Sequence, residues 1–132
     1  MLSNKDKILV SEVLMHGDRL AVELDVRHRH TVVAGVRSKS GNFYVGINCD
    51  GIHGTCAEVV AYANAVFSGD IDVETIVAMT VDVKNKSKIL MPCGNCRQIF
   101  SEISEDISFI IEENGELKKK SIADIFPFPY FH

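Results

Sequence analysis

Thr55-Cys56-Ala57-Glu58 and its distant complement Pro92-Cys93-Gly94-Asn95-Cys96-Arg97-Gln98 are the segments the rest of the chain must bring together. Three thiols in this order have few chemical uses. Deprotonated, they hold a zinc ion and leave its fourth position open to water. Glu58, two residues after the first thiol, stands where a carboxylate can move protons at that water. Both segments also read as helix starts, whose partial positive charge and unbonded N–H groups favour thiolates. Three thiolates leave a formal charge of about −1 around zinc, which weakens its power to acidify water. Arg97 and Gln98, next in sequence, are expected to offset this by donating hydrogen bonds to the sulfurs.

Each piece has a quieter reading. Thr55-x-x-Glu58 is also a capping box, in which the glutamate only satisfies a helix start. Cys93-Gly94-Asn95-Cys96 alone resembles a redox dithiol, or half of a structural zinc clamp completed by Cys49 and Cys56. Arg97 alone is a surface charge. Taken jointly the pieces favour a hydrolytic centre, because a redox pair has no need of Cys56 and a four-cysteine clamp has no need of Glu58. Glu58 is therefore the candidate catalytic residue, and Cys56, Cys93 and Cys96 are the candidate ligands of one zinc ion per subunit.

At 132 residues the chain is expected to form a single domain, residues 1–132. Its 46% hydrophobic and 24% charged residues are ordinary for a globular protein. A net charge of −4 argues against the basic face that nucleic acid requires. No apolar run approaches the roughly 20 residues that span a bilayer, and Met1–Asp6 carries no signal-peptide pattern. The expectation is a cytoplasmic protein without nucleic-acid or membrane partners. In a reducing compartment its four cysteines read as metal ligands or catalytic groups, not disulfides. Cys49, the one left over, reads as a small buried apolar residue.

Around the two segments the pattern alternates between helix and strand. Ser3 to Ala21 has helical periodicity, with Ser3 or Asn4 as cap and an expected interruption at His16-Gly17-Asp18. Arg27-His28-Arg29-His30 is a short basic segment, either a solvated loop or part of a site mouth. Thr31–Val36 and Phe43–Ile47 read as strands of a hairpin turned by Ser38–Asn42. A helix from Thr55 is expected to line its inner face with Val59, Val60, Ala63, Val66 and Phe67, ending at Ser68-Gly69-Asp70. Thr75–Val81 is an unbroken apolar run, as for a strand covered on both sides. Lys84–Lys88 is a polar loop. After Pro92 a helix runs from Gly94 to Ile103, then a strand from Ser108. Asn114-Gly115 turns that strand back through Glu116–Lys118, and Ile122–Ile125 forms a last helical turn. This order predicts an α/β fold, a three-layer α/β/α sandwich around a mixed sheet of about five strands.

Cys56-x-Glu58 with Pro92-Cys93-x-x-Cys96 resembles the zinc-dependent cytidine deaminase family, and the similarity extends from the first strand to the C-terminus. Ala65-Val66, Thr75–Ala78, Asn114–Lys118 and Ile122–Pro127 look like its blasticidin-S deaminase branch in particular. The resemblance implies a homotetramer (or dimer) acting on a small-molecule cytosine nucleoside. Cytidine or deoxycytidine would be hydrolysed to the uridine analogue and ammonia; in the antibiotic branch the substrate would be blasticidin S or another modified nucleoside. It also implies zinc on the three cysteines, Glu58 as proton shuttle, and the Ala57 N–H against the base carbonyl.

Departures from the family's pattern concern the sugar and the base. Asn48-Cys49-Asp50 stands where the family carries Asn-x-Glu against the ribose, so Asn48 and a shortened Asp50 are the candidate sugar contacts. The following loop is a few residues short. His30 falls where a base-stacking phenylalanine is usual. The aromatic that reaches a neighbour's site in the family corresponds to Phe128, Tyr130 or Phe131, with Phe128 the candidate. The reading from another class is a non-catalytic zinc domain.

Overall fold

The structure, a computed structural model, describes residues 2–23, 31–52, 54–81 and 87–130. Its elements are α1 (Asn4–Glu23), β1 (Val32–Ser38), β2 (Phe43–Ile47), α2 (Ala57–Phe67), β3 (Val73–Thr80), α3 (Gly94–Ile103), β4 (Ser108–Glu113), β5 (Glu116–Ser121) and α4 (Ile122–Ile125). The sheet has the order β2-β1-β3-β4-β5, with β3 and β4 parallel and every other pair antiparallel. Among the described residues no helix is long and apolar enough to cross a membrane. Arg27–His30, Lys84–Lys86 and Phe131 lie outside the described residues.

Turn chemistry fixes both hairpins. Asn114 (φ 53°) and Gly115 (φ 80°) both adopt the left-handed conformation that a type I′ turn demands, which Asn and Gly tolerate best. Opposite the first hairpin's end, Ser38 N–H donates to Asn42 O at 2.9 Å. β3, in the middle of the sheet, is buried along nearly its whole length, because helices lie on both faces. On one face Leu9 and Val13 of α1 pack against Val33, Val77, Met79 and Ile110. On the other, alanines of α2 and Phe100 of α3 pack against Ala34, Val36, Ile76 and Phe109. Phe100 meets Tyr62 and Phe109 edge-on, with ring centroids 5.7 and 5.8 Å away. The result is the three-layer sandwich around a mixed five-stranded sheet.

α1 begins with a capping box: Ser3 N–H donates to Asp6 Oδ2 at 2.9 Å and Asp6 N–H to Ser3 Oγ at 3.2 Å. The helix runs unbroken through His16-Gly17-Asp18, against expectation. Gly17 is a packing residue, not a breaker. A Cβ there would stand 2.9 Å from Val33 Cγ1, so its absence lets the helix lie close to β1.

The inner face of α2 also differs from expectation. Ala57, Glu58, Ala61 and Ala65 are buried, whereas Val66 and Phe67 are 40% and 95% exposed. The cause lies in the opposing strand. A Cβ on Gly46 of β2 would run into the Ala61 nitrogen and stand 2.8 Å from the Val60 carbonyl carbon and 2.9 Å from Ala57 O. The helix backbone rests directly on the strand, and only alanine fits between them.

Candidate active site

Two helix starts converge at one end of the sheet. Cys56 is the N-cap of α2 in extended conformation (φ −69°, ψ 149°), so the ligand lies just outside the helix, not in its first turn. Its side chain makes no cap hydrogen bond. Thr55 pairs instead with Cys49 through two backbone bonds of 2.9 Å, so the Thr55–Glu58 capping box does not form and Glu58 is released from that role. Cys93 is the N-cap of α3, and its Sγ accepts from Cys96 N–H at 3.5 Å. Pro92, which cannot donate, ends the approach to that cap.

The Sγ atoms of Cys56, Cys93 and Cys96 all lie within 4.8 Å of one another, with Cys56 and Cys93 3.3 Å apart. Cys49 is exposed and outside this cluster, which removes the four-cysteine clamp and corrects its reading as a buried residue. Burial pushes the Cys96 thiol far above its ordinary range, and the charges of Glu58, Cys56 and Cys93 push it further. Cys56 is raised for the same reasons, burial first. Burial also opposes ionisation of Cys93, but the Cys96 N–H and the neighbouring thiols outweigh it and bring that thiol below its usual value. Burial and mutual repulsion thus oppose ionising the three thiols together, and a cation among them would relieve both. Three soft sulfur donors with one side facing a cleft form a donor set that suits zinc with an open position.

Glu58, on the first turn of α2, is only 6% exposed. Burial raises its carboxyl above the usual carboxylate range, and its own backbone N–H and the Cys96 thiol only partly oppose this. Among the described residues no cation pairs with it. A carboxyl whose charged form is disfavoured by burial holds a proton more readily than an exposed one, as a group that must both take and return protons requires.

Two thiols of the cluster, those of Cys56 and Cys93, and Glu58 border a cleft of about 360 Å³. Cys56, Cys93, Glu58 and Ala57 line it, as do Asn48 and Asp50. Ala57 opens α2, so its N–H is among the helix-start donors without an intrahelical acceptor. The Asn48 side chain is already engaged. Its Oδ1 accepts from Thr31 and Val32 N–H at 2.8 and 2.9 Å, and its Nδ2 donates to Asp50 Oδ1 at 3.1 Å. Asn48 thus ties β2 to the start of β1 and aims the exposed Asp50 carboxylate. Val32, Leu90 and Met91 supply apolar walls that sequence reasoning alone does not single out; the signal for Leu90 and Met91 is only their adjacency to Pro92.

Other expected site residues stand elsewhere. Arg97 donates from Nε to Pro92 O at 2.8 Å and from Nη1 to Ile125 O at 3.1 Å, so its hydrogen bonds go to backbone carbonyls where sulfurs were expected. Gln98 likewise turns away, to Glu102 and Tyr130. The fork of Arg97 fits carbonyls at two separate positions, which a sulfur cluster on its own helix turn does not offer. Phe128 is 91% exposed and does not line the cleft of its own chain. His30 lies outside the described residues.

No family model matches the chain. A blasticidin-S deaminase from Bacillus cereus is 33% identical over 110 residues, 78% of this chain and 79% of that protein. Among solved structures, the cytidine deaminase of Mycobacterium leprae superposes with a TM-score of 0.71 at 18% identity, over 96% of this chain and all of that one. The Mycobacterium tuberculosis cytidine deaminase gives 0.69 at 18% identity, over 96% and 97%. At that identity the two structures speak for the fold alone.

Proposed function

The chain belongs to the cytidine deaminase family of hydrolases, in its blasticidin-S deaminase branch, and from that premise we propose that it hydrolyses the exocyclic amine of a cytosine nucleoside, with cytidine or deoxycytidine as substrate. The observation that carries this reading is the cluster of Cys56, Cys93 and Cys96, two of whose members line the same cleft as the buried Glu58. When bound by the three cysteines, zinc would acidify a water molecule at its open position. The chain's own residues do the rest. The Ala57 N–H and the Val32, Leu90 and Met91 walls hold the base with its amine toward the thiol cluster. Glu58 takes one proton from the attacking water and gives it to the ring nitrogen; it then takes the second proton from the hydroxyl now on the ring carbon and delivers it to the amine, so that the C–N bond breaks, the carbonyl forms and ammonia leaves. Its raised pKa suits both halves of that shuttle. Asp50, aimed by Asn48, faces the sugar.

A second reading is blasticidin S or a related modified nucleoside, favoured by the name of the Bacillus cereus relative and by Asp50 standing where the ribose-binding glutamate is usual. In either case the exposed Phe128 and Tyr130 suit a homotetramer in which Phe128 closes a neighbour's cleft, in the cytoplasm. An ultraviolet assay on zinc-loaded protein, offering cytidine, deoxycytidine and blasticidin S side by side, tests the proposal. Turnover of cytidine supports the first reading, turnover of blasticidin S alone supports the second, and no turnover of any with zinc bound overturns both.

A further inference from the structure

Arg97 and Gln98 follow directly on Cys96, yet both reach toward the C-terminal segment. Arg97 bridges Pro92 O, the carbonyl preceding the Cys93 cap, and Ile125 O, the last residue of α4. Gln98 reads the Tyr130 backbone in both directions: its Nε2 donates to Tyr130 O at 2.9 Å and its Oε1 accepts from Tyr130 N–H at 2.8 Å. Residues 125 and 130 are thus fastened to one helix turn. Between them Pro127 and Pro129, whose rings fix φ, flank Phe128, which is held out at 91% exposure. A segment pinned at both ends and stiffened by two prolines is an arm whose orientation is set by α3.

Cys93, the cap of that helix, and Cys96, in its first turn, are two of the three thiols. We propose that Arg97 and Gln98 are positioning residues that couple occupancy of the cysteine cluster to the order of the C-terminal arm. The inference rests on the metal-site reading above. A metal ion drawing Cys93 and Cys96 together fixes the Pro92–Cys93 peptide, and with it the carbonyl to which Arg97 is anchored. Linkage makes the effect reciprocal: an arm held by Arg97 raises metal affinity by the factor by which metal favours the held arm.

The Tyr130 amide, whose hydrogen bond to Gln98 is the fastening itself, is a direct reporter. Hydrogen–deuterium exchange of the full chain, zinc-loaded and metal-free, is expected to show Tyr130 at least tenfold slower in the loaded protein, with Ile110 in β4 equally slow in both as a control for global opening. Gln98→Ala should release Tyr130 even with zinc bound, and Gln98→Glu, which keeps the acceptor, should recover part of the protection. Arg97→Ala should weaken zinc binding about tenfold in competition with a chromophoric chelator, with Arg97→Lys intermediate. Zinc bound one to one with Tyr130 exchange unchanged would overturn the coupling alone. Failure to bind zinc at all would remove the metal-site reading and the coupling together. Protection of Tyr130 surviving Gln98→Ala would show that the fastening lies elsewhere.

Discussion

The two faces of the sheet each bury a carboxylate, and the two are treated in opposite ways. On the α1 face Asp6 is surrounded by donors: Arg37 Nη2 at 2.9 Å, Lys119 Nζ at 3.2 Å and the Ser3 N–H at 2.9 Å. Arg37, itself buried, reaches on to Glu74 and Thr75 of β3 at 3.0 and 2.9 Å. Burial alone would raise the Asp6 carboxyl, but Ser3, Arg37 and Lys119 outweigh it and lower it to about 2. On the α2 face Glu58 is buried with no cation beside it among the described residues, and burial wins. The first carboxylate is locked in one charge state and ties a helix to three strands. The second can change state, and that is what chemistry requires.

The sharpest test of this contrast replaces each carboxylate's function separately. Glu58→Gln should lower kcat by roughly a hundred to ten-thousandfold, with zinc content and circular dichroism retained. Removing a buried, unpaired acid should leave thermal stability the same or slightly higher. Turnover close to wild type in this variant would sink the proton-shuttle role.

Arg37→Met should show the reverse pattern: a loss of about 3 kcal/mol in urea unfolding, because a buried charge loses its principal partner, with kcat/KM of the folded protein unchanged. A change under about 1 kcal/mol would mean that Lys119 and Ser3 suffice for Asp6.

A smaller effect follows from acid. The Asp6 carboxyl ionises at 3.8 ordinarily and at about 2 in the folded chain. The unfolded chain therefore takes up the proton first as pH falls. The stabilisation, about 2 kcal/mol, is complete above the ordinary value and is lost as pH drops toward the folded one. Chemical unfolding between pH 5 and 2 should show this slope in the wild type and lack it in Asp6→Asn.

The smallest expected effect is none: Cys49→Ser should leave zinc stoichiometry unchanged, because Cys49 stands outside the thiol cluster. Loss of metal would return the four-cysteine clamp to consideration.

Elements whose signals are local were legible in the sequence. Asn114-Gly115, the hairpin around Gly41, the helix after Pro92 and the helical turn at Ile122–Ile125 all carry their reasons within a few residues. The two cysteine segments were legible for the same cause, since ligand spacing is written in the chain. What escaped depends on partners distant in sequence. Gly17 reads as a breaker until Val33 is placed against it, and the alanines of α2 read as weaker core than Val66 and Phe67 until Gly46 is seen beneath them. Arg97 and Gln98 were assigned to the nearest sulfurs because sequence shows the ligands beside them and not Ile125 or Tyr130.

The bridge between Cys49 and Thr55 has one more consequence. Two backbone hydrogen bonds close the chain there, like a buckle, so the residues between them form a loop whose ends are already joined. Cys56, the next residue, takes its place from the buckle and not from what the loop contains. Lengthening a loop whose ends are fixed costs little, because closure entropy grows only slowly with length. This stretch is where insertions or grafted segments can reshape the mouth of the cleft, and so what enters it, while the zinc ligand behind stays where it is.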